Sequence, residues 1–78
     1  MHKTYAQDFI KRIISEIEKL TFFPELGRIV PELNNPHIRE IIYHNYRIVY
    51  KLKNDTAFIS IVCHGSFDLN EQLKAMDK

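Results

Sequence analysis

Tryptophan is absent from these 78 residues, cysteine occurs once, glycine twice and proline three times. The single thiol, Cys63, excludes an intrachain disulfide and every multi-cysteine metal site, so the domain has no covalent staple. Two glycines, Gly27 and Gly65, are too few for a glycine-rich phosphate loop. No apolar run approaches the roughly 20 residues that cross a bilayer, and the first residues lack a secretory-signal pattern. A cytoplasmic protein with no membrane partner is expected. An excess of either charge is also missing: eleven Lys and Arg against ten Asp and Glu leave a formal net charge of +1. Proteins that grip phosphates are usually more basic, so direct nucleic-acid binding is not favoured. His2, His37, His44 and His64 fall at no ligand spacing, and neither a metal nor a cofactor is expected.

What is present is an ordinary globular composition, 45% hydrophobic and 27% charged. That excludes disorder and predicts one domain over residues 1–78. A core this small rarely supplies more than about 3 to 5 kcal/mol, which makes a protein partner or self-association a natural expectation.

Ala6, Phe9, Ile10, Ile13, Ile14, Ile17 and Leu20 recur at three and four, one stripe of an α-helix. The spacing predicts a helix from about Tyr5 to Leu20, opened by the capping box Thr4-x-x-Gln7 and ended before Pro24. Residues 21–36 hold three prolines, Gly27 and Asn34-Asn35, the composition of one irregular connection. Phe22, Phe23, Leu26 and Val30 are most simply pins that hold it to the core.

The rest reads as strands. Taking His44-Asn45 and Asn54-Asp55 as two-residue turns pairs Tyr43 with Tyr46 and Lys53 with Thr56. Alternation then places Ile41, Tyr43, Tyr46, Ile48, Tyr50, Leu52, Ala57, Ile59, Ile61 and Cys63 on a core face. Ile38, Glu40, Ile42, Arg47, Val49, Lys51, Phe58, Ser60, Val62 and His64 fall on a mixed, partly exposed face. Asp68-x-x-Glu71 predicts a short C-terminal helix through about Met76. The expected fold is α+β: one long N-terminal helix packed on a three-stranded antiparallel sheet.

On this register Arg47 lies opposite Val62, and Glu40, Arg47, Lys51, Ser60 and His64 share one patch. Arginine beside histidine offers phosphate stabilisation next to a group that titrates near neutral pH. The plainer alternative is a solvated sheet face with a Glu40–Arg47 ion pair. Cys63 and His64 are neighbours on a strand and point to opposite faces, so Cys63 reads as a small buried hydrophobe and not as a nucleophile.

The runs Phe22-Phe23-Pro24-Glu25-Leu26-Gly27-Arg28, Ile38-Arg39-Glu40, Asn45-Tyr46-Arg47-Ile48-Val49-Tyr50 and Val62-Cys63-His64-Gly65 resemble the second half of a RelE/ParE toxin, ParE more than RelE. The likeness runs from about Tyr5 to Leu69. It implies the toxin of a type II toxin-antitoxin module, held inactive by a cognate antitoxin. It also implies that the family's first strand and helix lack a counterpart, since Met1 opens almost directly onto the second helix. A chain shortened in this way would leave the strand Ala57 to Cys63 with an open edge, predicted to pair with a second copy or with an antitoxin segment.

Two activities are known in that family. RelE-like members cut messenger RNA in the ribosome with an arginine of the Tyr-Arg segment, further basic residues and often a C-terminal tyrosine or histidine. Arg47 falls on the first of these. Glu40 stands where a lysine would be expected, Ser66-Phe67 where an arginine is usual, and residues 70–78 hold no aromatic. ParE-like members inhibit DNA gyrase by binding it; many carry His-Gly-x-Arg-Asp-Leu where this chain has His64-Gly65-Ser66-Phe67-Asp68-Leu69. The sequence therefore reads as a toxin that works through protein binding, to antitoxin and DNA gyrase, with Arg47, Lys51, Ser60, His64 and Glu40 as contact residues. The rivals are a RelE-like ribosome-dependent mRNA endonuclease that uses Arg47 and His64, and a non-toxic relative that dimerises or binds antitoxin.

Overall fold

Helix α1 spans Tyr5–Phe22 in the computed structural model, which describes residues 5–77. It runs two residues past the expected end at Leu20. The Phe23 amide still donates to the Lys19 carbonyl at 2.9 Å before Pro24 stops the helix. The Thr4 half of the expected capping box lies outside the described residues. Within the apolar stripe, Ile13 and Leu20 are buried, whereas Ile10 and Ile14 are half exposed. Phe9 packs its ring on Tyr43 and Tyr46, with centroids 5.9 and 4.8 Å away, and so fixes which side of the sheet α1 covers.

Four strands follow, not three: β1 Arg28–Ile29, β2 Ile38–Tyr43, β3 Tyr46–Lys53 and β4 Thr56–His64, all antiparallel and in the order β1-β2-β3-β4. The strand absent from the expectation is β1, whose two residues pair as Arg28 with Glu40 and Ile29 with Arg39. A two-residue strand shows no alternation to read. Both hairpins close as expected, on Tyr43 with Tyr46 and on Lys53 with Thr56. Asn54 and Asp55 have φ of 52° and 61°, the successive left-handed pair that matches strand twist in a two-residue turn.

The β3–β4 register departs from the expectation midway. Tyr50 pairs with Ile59 but Val49 pairs with Ile61, so Ser60 is an extra, unpaired residue. Arg47 consequently lies opposite Cys63, not Val62, and His64 lies opposite Tyr46. From Ile61 onward every side chain of β4 is on the other face from the one expected. Ile61 and Cys63 join the side of Val49; Val62 and His64 join the side of Ile48 and α1.

Both faces are covered. Ile48 and Tyr50 are buried on the α1 side. On the other side Val30, Ile38, Val49, Leu69 and Leu73 form a cluster, with Leu33, Ile61, Cys63 and Met76 packed against it. Helix α2, Asn70–Met76, supplies Leu73 and covers the face that was expected to stay partly exposed. Its N-cap is Leu69, not Asp68; Asp68 instead accepts from the Asn70 amide at 3.0 Å.

The connection between α1 and β2 also corrects the expectation. Val30 is a buried pin, but Phe22, Phe23 and Leu26 are exposed, the first two at 79% and 64%. What holds this segment is Tyr50. Its hydroxyl accepts from the Gly27 amide at 2.8 Å and donates to the Pro24 carbonyl at 2.7 Å. A Cβ on Gly27 would fall 2.7 Å from both the Tyr50 hydroxyl and the Glu40 carbonyl oxygen, so only glycine admits this approach.

Candidate functional site

Arg47 is the residue on which a phosphate-directed reading depends, and its surroundings decide what it can do. β2 and β3 place it diagonally from Glu40, and the turn after Val30 brings Glu32 over it. Arg47 Nε donates to Glu40 Oε1 at 2.7 Å, while its two terminal nitrogens grip Glu32 in a fork, at 2.8 and 3.1 Å. A terminal nitrogen also lies 2.6 Å from Glu40 Oε1. These contacts engage four of the five N–H donors of a guanidinium.

Glu40 is a carboxylate with no exposed side-chain surface, a placement that is costly unless both oxygens are matched. They are. Oε1 takes Arg47, and Oε2 takes Arg28 Nε at 2.7 Å from β1. Two arginines and two glutamates therefore cancel in charge. The Arg47 side chain is 13% exposed, and a phosphate that approached it would have to displace Glu32 and face the carboxylate of Glu40. The same pairs hold Glu32 below its ordinary carboxylate range, chiefly through the Arg47 hydrogen bond, and push Arg47 further toward its charged form, with the Glu32 hydrogen bond the largest cause.

The other expected site residues scatter. Lys51 donates to the Met76 carbonyl at 3.1 Å and so caps the end of α2. Ser60 sits in the bulge with its hydroxyl on the Phe58 carbonyl at 3.3 Å. His64 is on the α1 side, edge-on to Tyr46 with ring centroids 5.4 Å apart. Its Nδ1 accepts from the Ser66 amide at 3.2 Å and lies 2.7 Å from the Ser66 hydroxyl. Of the expected patch, only Glu40 and Arg47 meet directly. Arg47 and His64 line two sides of an open groove of about 400 Å³ at the hairpin end, with Arg28, Glu32, Tyr46 and Ser66, but no shared face of the sheet presents them.

Three features of the surface were missed by the sequence reading. Arg28 and Glu32 complete the ion network, and no spacing in the chain links them to Arg47. Phe22, Phe23, Pro24 and Leu26 line an open groove of about 680 Å³, beside Leu52 and the β3–β4 turn. Their aromatic content was the available signal. A third groove, of about 760 Å³, lies between α1 and the β2–β3 turn and is lined by Phe9, Arg12, Tyr43, His44, Tyr46 and His64.

Comparison with known families decides the lineage. Residues 1–69 match the family described as ParE toxin of type II toxin-antitoxin system, parDE. The chain belongs to this ParE toxin family. The likeness of the Tyr46-Arg47 segment and of His64-Gly65 is thereby placed in a family-wide match that covers α1 and all four strands. No curated protein and no solved structure matches the chain. In this ParE-family chain no described helix is long and apolar enough to cross a membrane. Among the described residues no three His, Cys, Asp or Glu side chains are grouped as metal ligands.

Proposed function

We propose that this ParE-family toxin acts by binding other proteins, a cognate antitoxin and, as its target, DNA gyrase, and not by cleaving RNA. The observation that carries the reading is the closure of Arg47 by Glu32 and Glu40. Phosphoryl chemistry needs uncompensated positive charge aimed at the scissile phosphate and a proton carrier beside it. Here the arginine is neutralised, and the histidine bonds Ser66 on the other side of the sheet.

Protein binding needs surface instead. Phe22, Phe23 and Leu26 stand exposed along one groove, the aromatic and aliphatic anchor chemistry that typifies interface hot spots. His64 and Ser60 remain on the outside as further contacts, while Glu40, Arg47 and Lys51 act by holding the β1 turn and α2 in place.

The purified protein added to a gyrase supercoiling assay and to translating ribosomes tests the proposal. Loss of supercoiling with intact message is expected. Cleaved message would overturn it in favour of the endonuclease. If supercoiling and message both survive, the chain is a non-toxic relative whose partner is the antitoxin alone. Phe22→Ser with Phe23→Ser should abolish gyrase inhibition while leaving the unfolding midpoint nearly unchanged, since both side chains are exposed.

A further inference from the structure

β4 closes one side of the sheet, and its outer edge pairs with no other described strand. None of its nine residues is Asp, Glu, Lys, Arg or Pro, the types that ordinarily keep an edge strand from pairing. The Ser60 bulge is the only blunting device along an edge about 30 Å long. On the α1 side Ile59 and Val62 of β4 are partly exposed, and α1, which packs on β4, leaves Ile10 and Ile14 half exposed.

We propose that this edge pairs antiparallel with the same edge of a second copy, about a two-fold axis that passes between Ser60 and Ile61, perpendicular to the sheet. Such an axis keeps the α1 sides of both copies together, so each cross-strand pair must draw both residues from the same face. Ala57, Ile59, Val62 and His64 lie on the α1 side; Thr56, Phe58, Ile61 and Cys63 lie on the other. One register satisfies the condition along the whole strand: Ala57 with the partner's His64, Phe58 with the partner's Cys63, and Ile59 with the partner's Val62. The bulge makes this register available, because it shifts the alternation by one in the middle of β4.

The backbone agrees. The Gly65 amide donates to the Asn45 carbonyl at 2.6 Å, which makes Tyr46 and His64 a non-hydrogen-bonded pair and turns the backbone groups of His64 and Val62 outward. The two-residue turn closes on Lys53 and Thr56 as a hydrogen-bonded pair, which turns those of Ala57 and Ile59 outward. These four residues are the ones that the register joins.

Charge selects a second copy over a charged partner. An uncharged strand offers nothing to match acidic or basic side chains, but it opposes itself without repulsion. The charges nearest the strand, Asp55 before it and Asp68 after it, lie outside the paired residues. Size is consistent only if α1 takes part. A standard interface covers about 800 Å² per partner, roughly one seventh of the 5819 Å² surface, and Ile10 and Ile14 must add to the edge to reach it.

Sedimentation equilibrium on the full chain, from micromolar to millimolar, tests the association. A mass approaching twice 9.3 kDa is expected. Ile59→Lys should weaken the dimer at least about tenfold, since it puts a charge against the partner's Val62. Circular dichroism would confirm that this exposed substitution leaves the fold intact. Oxidation tests the register. Phe58→Cys should link to the partner's Cys63 and run as a covalent dimer without reductant, because non-hydrogen-bonded pairs hold Cα atoms about 4.5 Å apart, within disulfide range. Phe58→Cys with Cys63→Ala should not. A monomer at every concentration overturns the proposal. So does a dimer that Ile59→Lys leaves unchanged, or one in which Phe58→Cys forms no link.

Discussion

Arg47 reaches diagonally from β3 to Glu40 on β2, and the carboxylate it meets has no exposed surface and is held on its other oxygen by Arg28. The residue that resembles a catalytic arginine is thus a counterion. Arg47→Met should destabilise the fold by about 3 kcal/mol, the low end for breaking a buried pair, because Arg28 remains to Glu40. Arg47→Met with Glu40→Leu should recover much of the loss. Urea unfolding of both variants measures this; a single substitution without effect would place the pair at the surface.

The acid limb of stability should carry the signature of Glu32. The Arg47 hydrogen bond lowers its folded pKa from the ordinary 4.5, so the contribution is complete above the ordinary carboxylate range and is lost as pH falls through the folded value. Glu32 is part exposed, which limits the contribution to about 1 kcal/mol. Wild type and Glu32→Gln should therefore differ slightly at neutral pH and converge in acid. A difference that persists unchanged in acid would contradict the ion pair.

Tyr50→Phe should cost about 1 to 3 kcal/mol, since it strands the buried Gly27 amide and leaves the Pro24 carbonyl without its donor. Amide exchange at Gly27 should quicken in parallel. Burial also pushes the Tyr50 phenol up, the expected direction for a hydroxyl held in the core. If exchange at Gly27 stays as slow as before, the hydroxyl is not what protects it.

Leu73→Ala should cost about 2 to 5 kcal/mol, the range for truncating a fully buried leucine. The seven residues of α2 make this a sharp test of whether so short a helix belongs to the core. A loss near zero would mean that α2 does not dock on Val30, Ile38 and Val49.

Short-range periodicity made most of the fold legible. The stripe from Phe9 to Leu20, both two-residue turns and the closing pairs of both hairpins follow from spacing, because local chemistry sets them. What escaped was set by tertiary packing. β1 exists only because Arg28 and Ile29 dock on β2, and the Ser60 bulge carries no marker such as glycine. That one omission moved His64 away from Arg47 and hid the fact that Ile61 and Cys63 face α2. Arg47 and Glu40 were placed together correctly, but Glu32 arrives from a loop whose path no alternation predicts. The exposure of Phe22, Phe23 and Leu26 ran against the usual burial of such side chains.

The unpaired residue in β4 makes the strand's tolerance to changes of length directional. Lose one residue anywhere between positions 60 and 62, and the slack closes: Ser60, or its neighbour, steps into the ladder while Cys63 and His64 keep their seats. Gain one, and a second kink must be found in a segment already bent. Along this stretch, shortening should be forgiven far more readily than lengthening.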